Sequence, residues 1–145
     1  MPGEAVVADA VVLLRARWPS GAMGTIGAGN GGALGGLRIS ISGRASVGDR
    51  VHVGGNRVPP GTPVAISFGV APIFVPLFGG TVFVAPIVLD SGVADARGVF
   101  RTSLDVPTTA SAIGVELWAQ ALAFDPTAPQ GVALSPGATA AIVGN

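Results

Sequence analysis

Cysteine, lysine and tyrosine are absent from this chain of 145 residues, and only 11% of its residues are charged. Without cysteine there can be neither a disulfide framework nor a thiolate metal site. The formal net charge is zero and the arginines are scattered, which argues against the concentrated basic face that nucleic-acid binding needs. We therefore expect no nucleic acid among the partners.

Long hydrophobic runs are also missing, since glycine, proline or polar residues interrupt every stretch well before the ~20 residues that span a bilayer. We expect no membrane span. The first residues include Glu4 and Asp9 where an export signal would carry positive charge, so no signal peptide is visible in this chain.

Apolar residues are plentiful, at 49% of the chain, together with 23 glycines and 12 prolines. Eight arginines and eight acidic residues are few for the surface of a domain of this size. Either small uncharged residues cover much of the outside, or apolar faces are covered by other copies of the chain. Composition leaves both alternatives open.

The apolar residues alternate with a period of two, which is typical of β-strands. The clearest strands are 37–42 and 63–70, with Val64, Ile66, Phe68 and Val70 aligned. The apolar run 71–90 predicts short or edge strands around a turn at Gly79-Gly80, and 95–98 predicts a tight turn. These spacings favour an all-β fold, namely an antiparallel two-sheet β-sandwich (jelly-roll or immunoglobulin-like) rather than a barrel.

The first 36 residues differ from the rest. We predict an apolar N-terminal strand at 1–20, a glycine-rich linker at 21–36 and the β-sandwich domain at 37–145. Under strand geometry the even positions of the first segment form one apolar face. A helix would instead group Val7 and Val11 with residues 14 and 18, and periodicity alone does not decide. The candidate subunit-contact residues of this strand are Val6, Val12, Leu14 and Trp18.

Several motifs follow one another in a fixed order from Gly35 to Gly144. "VGDRV" lies between Gly43 and Val53, then come "PPGTPVAISFG", an apolar strand pair, "DARG" and "GVELWAQALAFDPTAPQGVALSP". This order resembles a C-terminal β-sandwich repeat of secreted or surface proteins of Planctomycetes and similar bacteria. The family's closing features are matched by Gln120, Asp125, Pro126, Gly131 and Ser135. The resemblance implies a secreted or surface β-sandwich and no particular reaction.

Within the last motif we expect the large apolar residues Leu117, Trp118 and Phe124 to pack in the interior. Gln120 and Glu116 are expected to satisfy a strand edge or the surface. Asp125-Pro126 is expected to begin the exit turn.

Candidate chemistry is sparse. His52 is the only histidine, so a triad or a zinc site is less favoured than a packed or surface histidine. Four aspartates near turns, Asp90, Asp95, Asp105 and Asp125, could gather a hard cation, but turn formation explains them without a metal and is the favoured interpretation. The glycine-rich stretch 27–32 lacks the lysine of a phosphate-binding loop. We therefore expect no catalytic, metal or cofactor site, and we expect that the chain is not an enzyme.

The leading functional hypothesis is a structural, self-associating subunit or module of an extracellular or cell-surface assembly. One form of such an assembly is a filament in which the N-terminal strand of one subunit adds to a neighbour's sheet. One alternative is a carbohydrate-binding module in which Trp18, Trp118 and the phenylalanines stack on a glycan. Another is a virion decoration protein with a glycine-rich arm.

Overall fold

The computed structural model describes residues 23–27, 29–30 and 35–144. Within these ranges the secondary structure is strand, apart from single 3-10 turns at Ala110–Ala112 and Pro129–Gly131. The prediction of an all-β chain is confirmed. The strands are β1 Met23–Ile26, β2 Arg38–Gly43, β3 Arg50–Asn56, β4 Pro63–Gly69, β5 Pro72–Leu77, β6 Gly80–Val84, β7 Val88–Val93, β8 Phe100–Asp105, β9 Glu116–Phe124, β10 Val132–Leu134 and β11 Gly137–Ala141.

All strand pairing between these elements is antiparallel, and it produces three units. The main sheet has the order β1-β11-β9-β4-β7, with β10 also paired to β9. The small sheet has the order β2-β3-β8. Strands β5 and β6 form a separate hairpin. Successive side chains of a strand point to opposite faces of its sheet, so alternating apolar and polar residues give the sheet one apolar and one polar face.

One continuous cluster of buried apolar side chains joins the main sheet to the small sheet. Alternate residues of β2, β3, β4, β9 and β11 point into it. The other residues of the small sheet are mostly exposed, as in β2, where burial alternates along Arg38–Ser42. The central members of the cluster are Ile39, Ile41, Val51, Val53 and Phe100 from the small sheet and Val64, Ile66, Phe68, Leu117, Ala119, Ala121 and Ala138 from the main sheet.

The half-buried strands predicted at 37–42 and 63–70 are present as β2 and β4. Val70 is a correction, because β4 ends at Gly69 and the Val70 side chain is half exposed. The turn at 95–98 is confirmed: the Gly98 N–H donates to Asp95 O at 3.0 Å, and Gly98 has a φ of 73°. That positive φ explains the glycine.

The segment predicted as a linker contains ordered contacts. Met23–Ile26 form β1, which pairs with β11 in the register Met23↔Ala140 to Ile26↔Gly137. These four residues are a strand rather than a linker. The glycine content suggested flexibility, but backbone pairing to an exposed sheet edge needs no large side chains.

Candidate functional site

The candidate subunit-contact residues Val6, Val12, Leu14 and Trp18 lie outside the described residues. The remainder of the chain supplies the surfaces that such a segment could meet. Three features stand out: two buried amides beneath the hairpin, an apolar surface, and a polar groove at His52.

Gln120 lies on the face of the main sheet that the hairpin covers, and only 3% of it is exposed. Its Oε1 accepts a hydrogen bond from Phe83 N–H at 2.8 Å. Its Nε2 donates to Thr81 O and to Ser135 O, both at 2.9 Å. The expectation that Gln120 satisfies an edge or the surface is wrong, because this face of β9 has a second layer above it.

Trp118 lies on the same face of β9 and is fully buried against Phe83 and Val84 of the hairpin. The prediction that Leu117 and Trp118 pack is confirmed, although they pack on opposite faces of the strand. A fully buried indole cannot stack on a sugar ring. Trp118 is therefore removed from the glycan platform that the sequence suggested.

Asn30 is the second buried amide, and it fastens the turn of the hairpin. Its Nδ2 donates to Phe78 O at 3.0 Å and to Val132 O at 2.9 Å, and its Oδ1 accepts from Leu134 N–H at 2.6 Å. The neighbouring residue has to be glycine, because the backbone at Gly29 lies so close to Leu134 that a Cβ there would overlap the Leu134 carbonyl oxygen. The glycines on either side of Asn30 gave no sign of such a role in the sequence.

An apolar surface remains on the hairpin and on β7. We define it by the exposed large apolar side chains of two segments, 70–77 and 87–93, which are each 44–70% exposed: Val70, Phe74, Val75, Leu77, Ile87, Val88, Leu89 and Val93. Exposed apolar groups on this scale mark interaction sites in soluble proteins. Phe124 is a correction, because it was expected to pack in the interior and is 60% exposed at the end of β9.

His52 is exposed on the outer face of the small sheet. A surface position is one of the two that the sequence favours for this histidine. It lines an open groove of about 590 Å³ together with Ser40, Ser42 and Arg101, and Gly54 lies between the side chains. Ser42 and Ser103 are its cross-strand neighbours. Within the described residues no hydrogen bond joins His52 to either serine, so the groove shows no assembled nucleophile and base.

The aspartates near turns accept hydrogen bonds that stabilise the fold. Asp125 begins the exit turn as predicted, since its Oδ1 accepts from the Thr127 N–H at 2.9 Å. Asp105 accepts from Arg50 Nε at 2.7 Å, and this hydrogen bond lowers the pKa of the carboxyl. Asp90 Oδ2 accepts from the Thr102 hydroxyl. In the described part of the chain no three His, Asp or Glu side chains come together as a metal site would require.

Asp95 couples the 95–98 turn to pH. Hydrogen bonds from the Val99 and Arg97 backbone N–H groups lower the pKa of its carboxyl. A lowered folded-state pKa gives stability that is present above the ordinary Asp pKa of about 4 and lost as pH falls through the folded value. We expect Asp95→Asn to be less stable than the parent at neutral pH, with the difference shrinking below about pH 4. Urea unfolding at several pH values measures it, and a difference independent of pH would contradict it.

Comparison of the chain with protein-family models, with curated proteins and with solved structures gives no match. The resemblance to the Planctomycetes repeat therefore stays a prediction. None of the helical turns in the described residues has the length and apolar character needed to cross a bilayer.

Proposed function

We propose that this chain is a structural, self-associating subunit or module of an extracellular or cell-surface assembly. The single observation that carries the proposal is the apolar surface defined above. Of the ten large apolar side chains that are exposed in the described residues, eight belong to this surface, and these eight fall in two segments of the chain. Covering them by another copy would remove this apolar area from water, which is the main driving force of association.

The charge pattern supports the same conclusion. The two segments, 70–77 and 87–93, contain one charged residue, Asp90, and that residue is only half-buried and bonded to Thr102. Charged residues that would discourage association are instead found on the small sheet, where Arg50 pairs with Asp105. A net charge of zero also removes long-range repulsion between copies.

The architecture that we propose for the subunit is an antiparallel two-sheet β-sandwich. It is supported by the cluster of buried side chains that takes residues from both the main and the small sheet. The extracellular or surface setting is the one that the resemblance to the Planctomycetes repeat implies.

The mode of association that we propose is addition of the N-terminal segment of one copy to a sheet of another. In strand addition, backbone hydrogen bonds supply affinity and alternate side chains fill pockets. The apolar even positions of residues 6–18 would supply these side chains.

The test compares two matched pairs of substitutions in the full chain. Val6→Asp with Val12→Asp places two charges on the proposed contact face and should weaken association by at least about tenfold. Val7→Asp with Val11→Asp places the same charges on the opposite face and should leave association within about twofold of the parent. Sedimentation velocity over a range of concentrations measures both.

A parent chain that sediments as a monomer at every concentration would overturn the proposed function. Equal effects of the two pairs would leave self-association in place and overturn strand addition by the even face.

A further inference from the structure

Strand β7 is the edge of the main sheet, and within the described residues it pairs only with β4. Leu89 and Val93 point to the same side of it and are 70% and 65% exposed. Natural edge strands usually carry charge or proline, or are covered, because an uncovered edge recruits other strands. Between Val88 and Val93 there is no proline, no lysine and no arginine.

The one charged residue of β7 does not shield the edge from an approaching strand. Asp90 lies opposite Ile66, a buried residue, so its side chain is on the inner face of the main sheet. There it accepts the Thr102 hydroxyl hydrogen bond, while its Oδ1 accepts from the Ser91 N–H at 2.8 Å. The carboxylate thus takes up the Ser91 N–H as a hydrogen-bond donor. The rest of the edge carries no charge.

The backbone groups that face outward can be identified from the ladder. Ala94 N–H donates to Thr62 O, and these two residues continue the β4–β7 register one pair beyond Pro63↔Val93, so theirs is a hydrogen-bonded pair. Bonded and non-bonded pairs alternate in an antiparallel ladder. In the register Pro63↔Val93 to Phe68↔Val88, alternation directs the backbone groups of Leu89, Ser91 and Val93 away from β4. With respect to the described residues, the edge therefore offers two free N–H groups and three carbonyls to another strand.

The edges of the small sheet are protected by comparison. Exposed arginines lie on both, Arg38 on β2 and Arg101 on β8, and exposed Asp105 is also on β8. A strand that approached either edge would meet these charged side chains, and charges on an edge strand normally discourage strand addition. Of these three edges, β7 is the one suited to accept a strand.

The position of the N-terminal segment indicates that the added strand comes from a second copy. Residues 1–22 lead into β1, which is at the opposite edge of the main sheet from β7. Four strand spacings separate the two edges, about 19 Å in a straight line. Trp18 is five peptide steps from Met23, which extend at most about 17 Å. Within one chain the residues nearest β1 would be needed to cross this distance, so Trp18 can lie beside β7 only when the segment comes from a second copy.

We infer that β7 is the acceptor strand for residues 6–18 of a second copy, an inference that rests on the proposed self-association. Each copy then donates a strand near one edge of its main sheet and accepts one at the other. Such a contact is head-to-tail, and a head-to-tail contact forms rings when its rotation closes and open filaments when it does not.

The absence of cysteine from the parent makes a direct test possible, because every introduced cysteine is unique. Protein carrying Ser91→Cys is mixed with proteins that each carry one donor substitution: Ala10→Cys, Val12→Cys or Leu14→Cys. Under mild oxidation we expect a disulfide between two copies for at least one donor position, identified by mass spectrometry. Ser111→Cys, at an exposed position in the 3-10 turn Ala110–Ala112, is the control and should give no such product.

The second measurement is association of full-length Leu89→Lys with Val93→Lys. Charges on the acceptor edge should weaken association by at least about tenfold. Ile113→Lys with Phe124→Lys, a matched pair at positions that are 50% and 60% exposed and outside the apolar surface, should stay within about twofold of the parent.

Three results would overturn the inference while leaving self-association intact. The first is an equal loss with the Ile113→Lys and Phe124→Lys pair. The second is efficient Ser91→Cys pairing with itself in the absence of any donor product, which would indicate β7 pairing with β7. The third is a disulfide formed only within one chain when both cysteines are in the same polypeptide. A monomeric parent would instead remove the proposed function itself.

Discussion

Replacing Gln120 by alanine will lower the free energy of unfolding by about 4 kcal/mol. The substitution leaves three backbone groups without their partner, namely the Phe83 N–H and the carbonyls of Thr81 and Ser135. Each lies in or beside the interface between the hairpin and the main sheet, and an unsatisfied buried polar group costs about 1–3 kcal/mol. Urea unfolding followed by tryptophan fluorescence, to which buried Trp118 contributes, measures the loss.

Gln130→Ala is the matched control, because Gln130 is exposed and outside the hairpin contact. Its φ of 56° is equally unfavourable for glutamine and alanine, so this variant should stay within about 0.5 kcal/mol of the parent. Similar losses for the two variants would show that the Gln120 hydrogen bonds do not hold the hairpin.

Replacing Gly55 by alanine will destabilise the protein by about 3 kcal/mol, whereas the same change at neighbouring Gly54 will be nearly neutral. A Cβ on Gly55 would overlap the Arg38 carbonyl oxygen and the ring of buried Phe100. On Gly54 the nearest atoms would be Phe100 O at 3.5 Å and Arg101 Cγ at 3.8 Å, which are ordinary contacts. Consecutive residues of β3 thus have opposite environments because their side-chain directions alternate.

Thermal and urea unfolding of the two glycine variants side by side measure the difference. Both residues have negative φ or extended backbone, so alanine at either position lowers the conformational entropy of the unfolded chain by the same amount. The difference in stability between the two variants therefore measures the steric overlap alone. Equal stability of the two variants would mean that Phe100 can move aside at low cost.

The strands that sequence alone could locate are those with one face in water. Arg38 and Ser40 alternate with buried Ile39 and Ile41, so β2 was visible as a pattern. The turn at Asp95 was visible because its side chain bonds to N–H groups only two and four residues ahead. Local interactions of this kind leave a local signature.

Strand β9 shows why the rest was not predictable. Its residues Trp118, Gln120 and Leu122 share a face, and nothing in their spacing shows that a hairpin from residues 72–84 covers it. Gln120 was therefore placed at an edge, and Phe124, at the end of the covered region, was placed in the interior. The acceptor edge was equally hidden, since an exposed Leu89 and a buried Ile66 are both simply apolar residues in a strand.

The Asn30 contacts also set the order in which the molecule can assemble. Its partners Val132 and Leu134 are 102 and 104 residues away along the chain, so these bonds cannot form before most of the polypeptide has collapsed. Closing such distant loops is slow compared with forming hairpins. The β5–β6 hairpin, whose strands are joined by Phe78 and Gly79 alone, can therefore form before Asn30 fastens it to the main sheet.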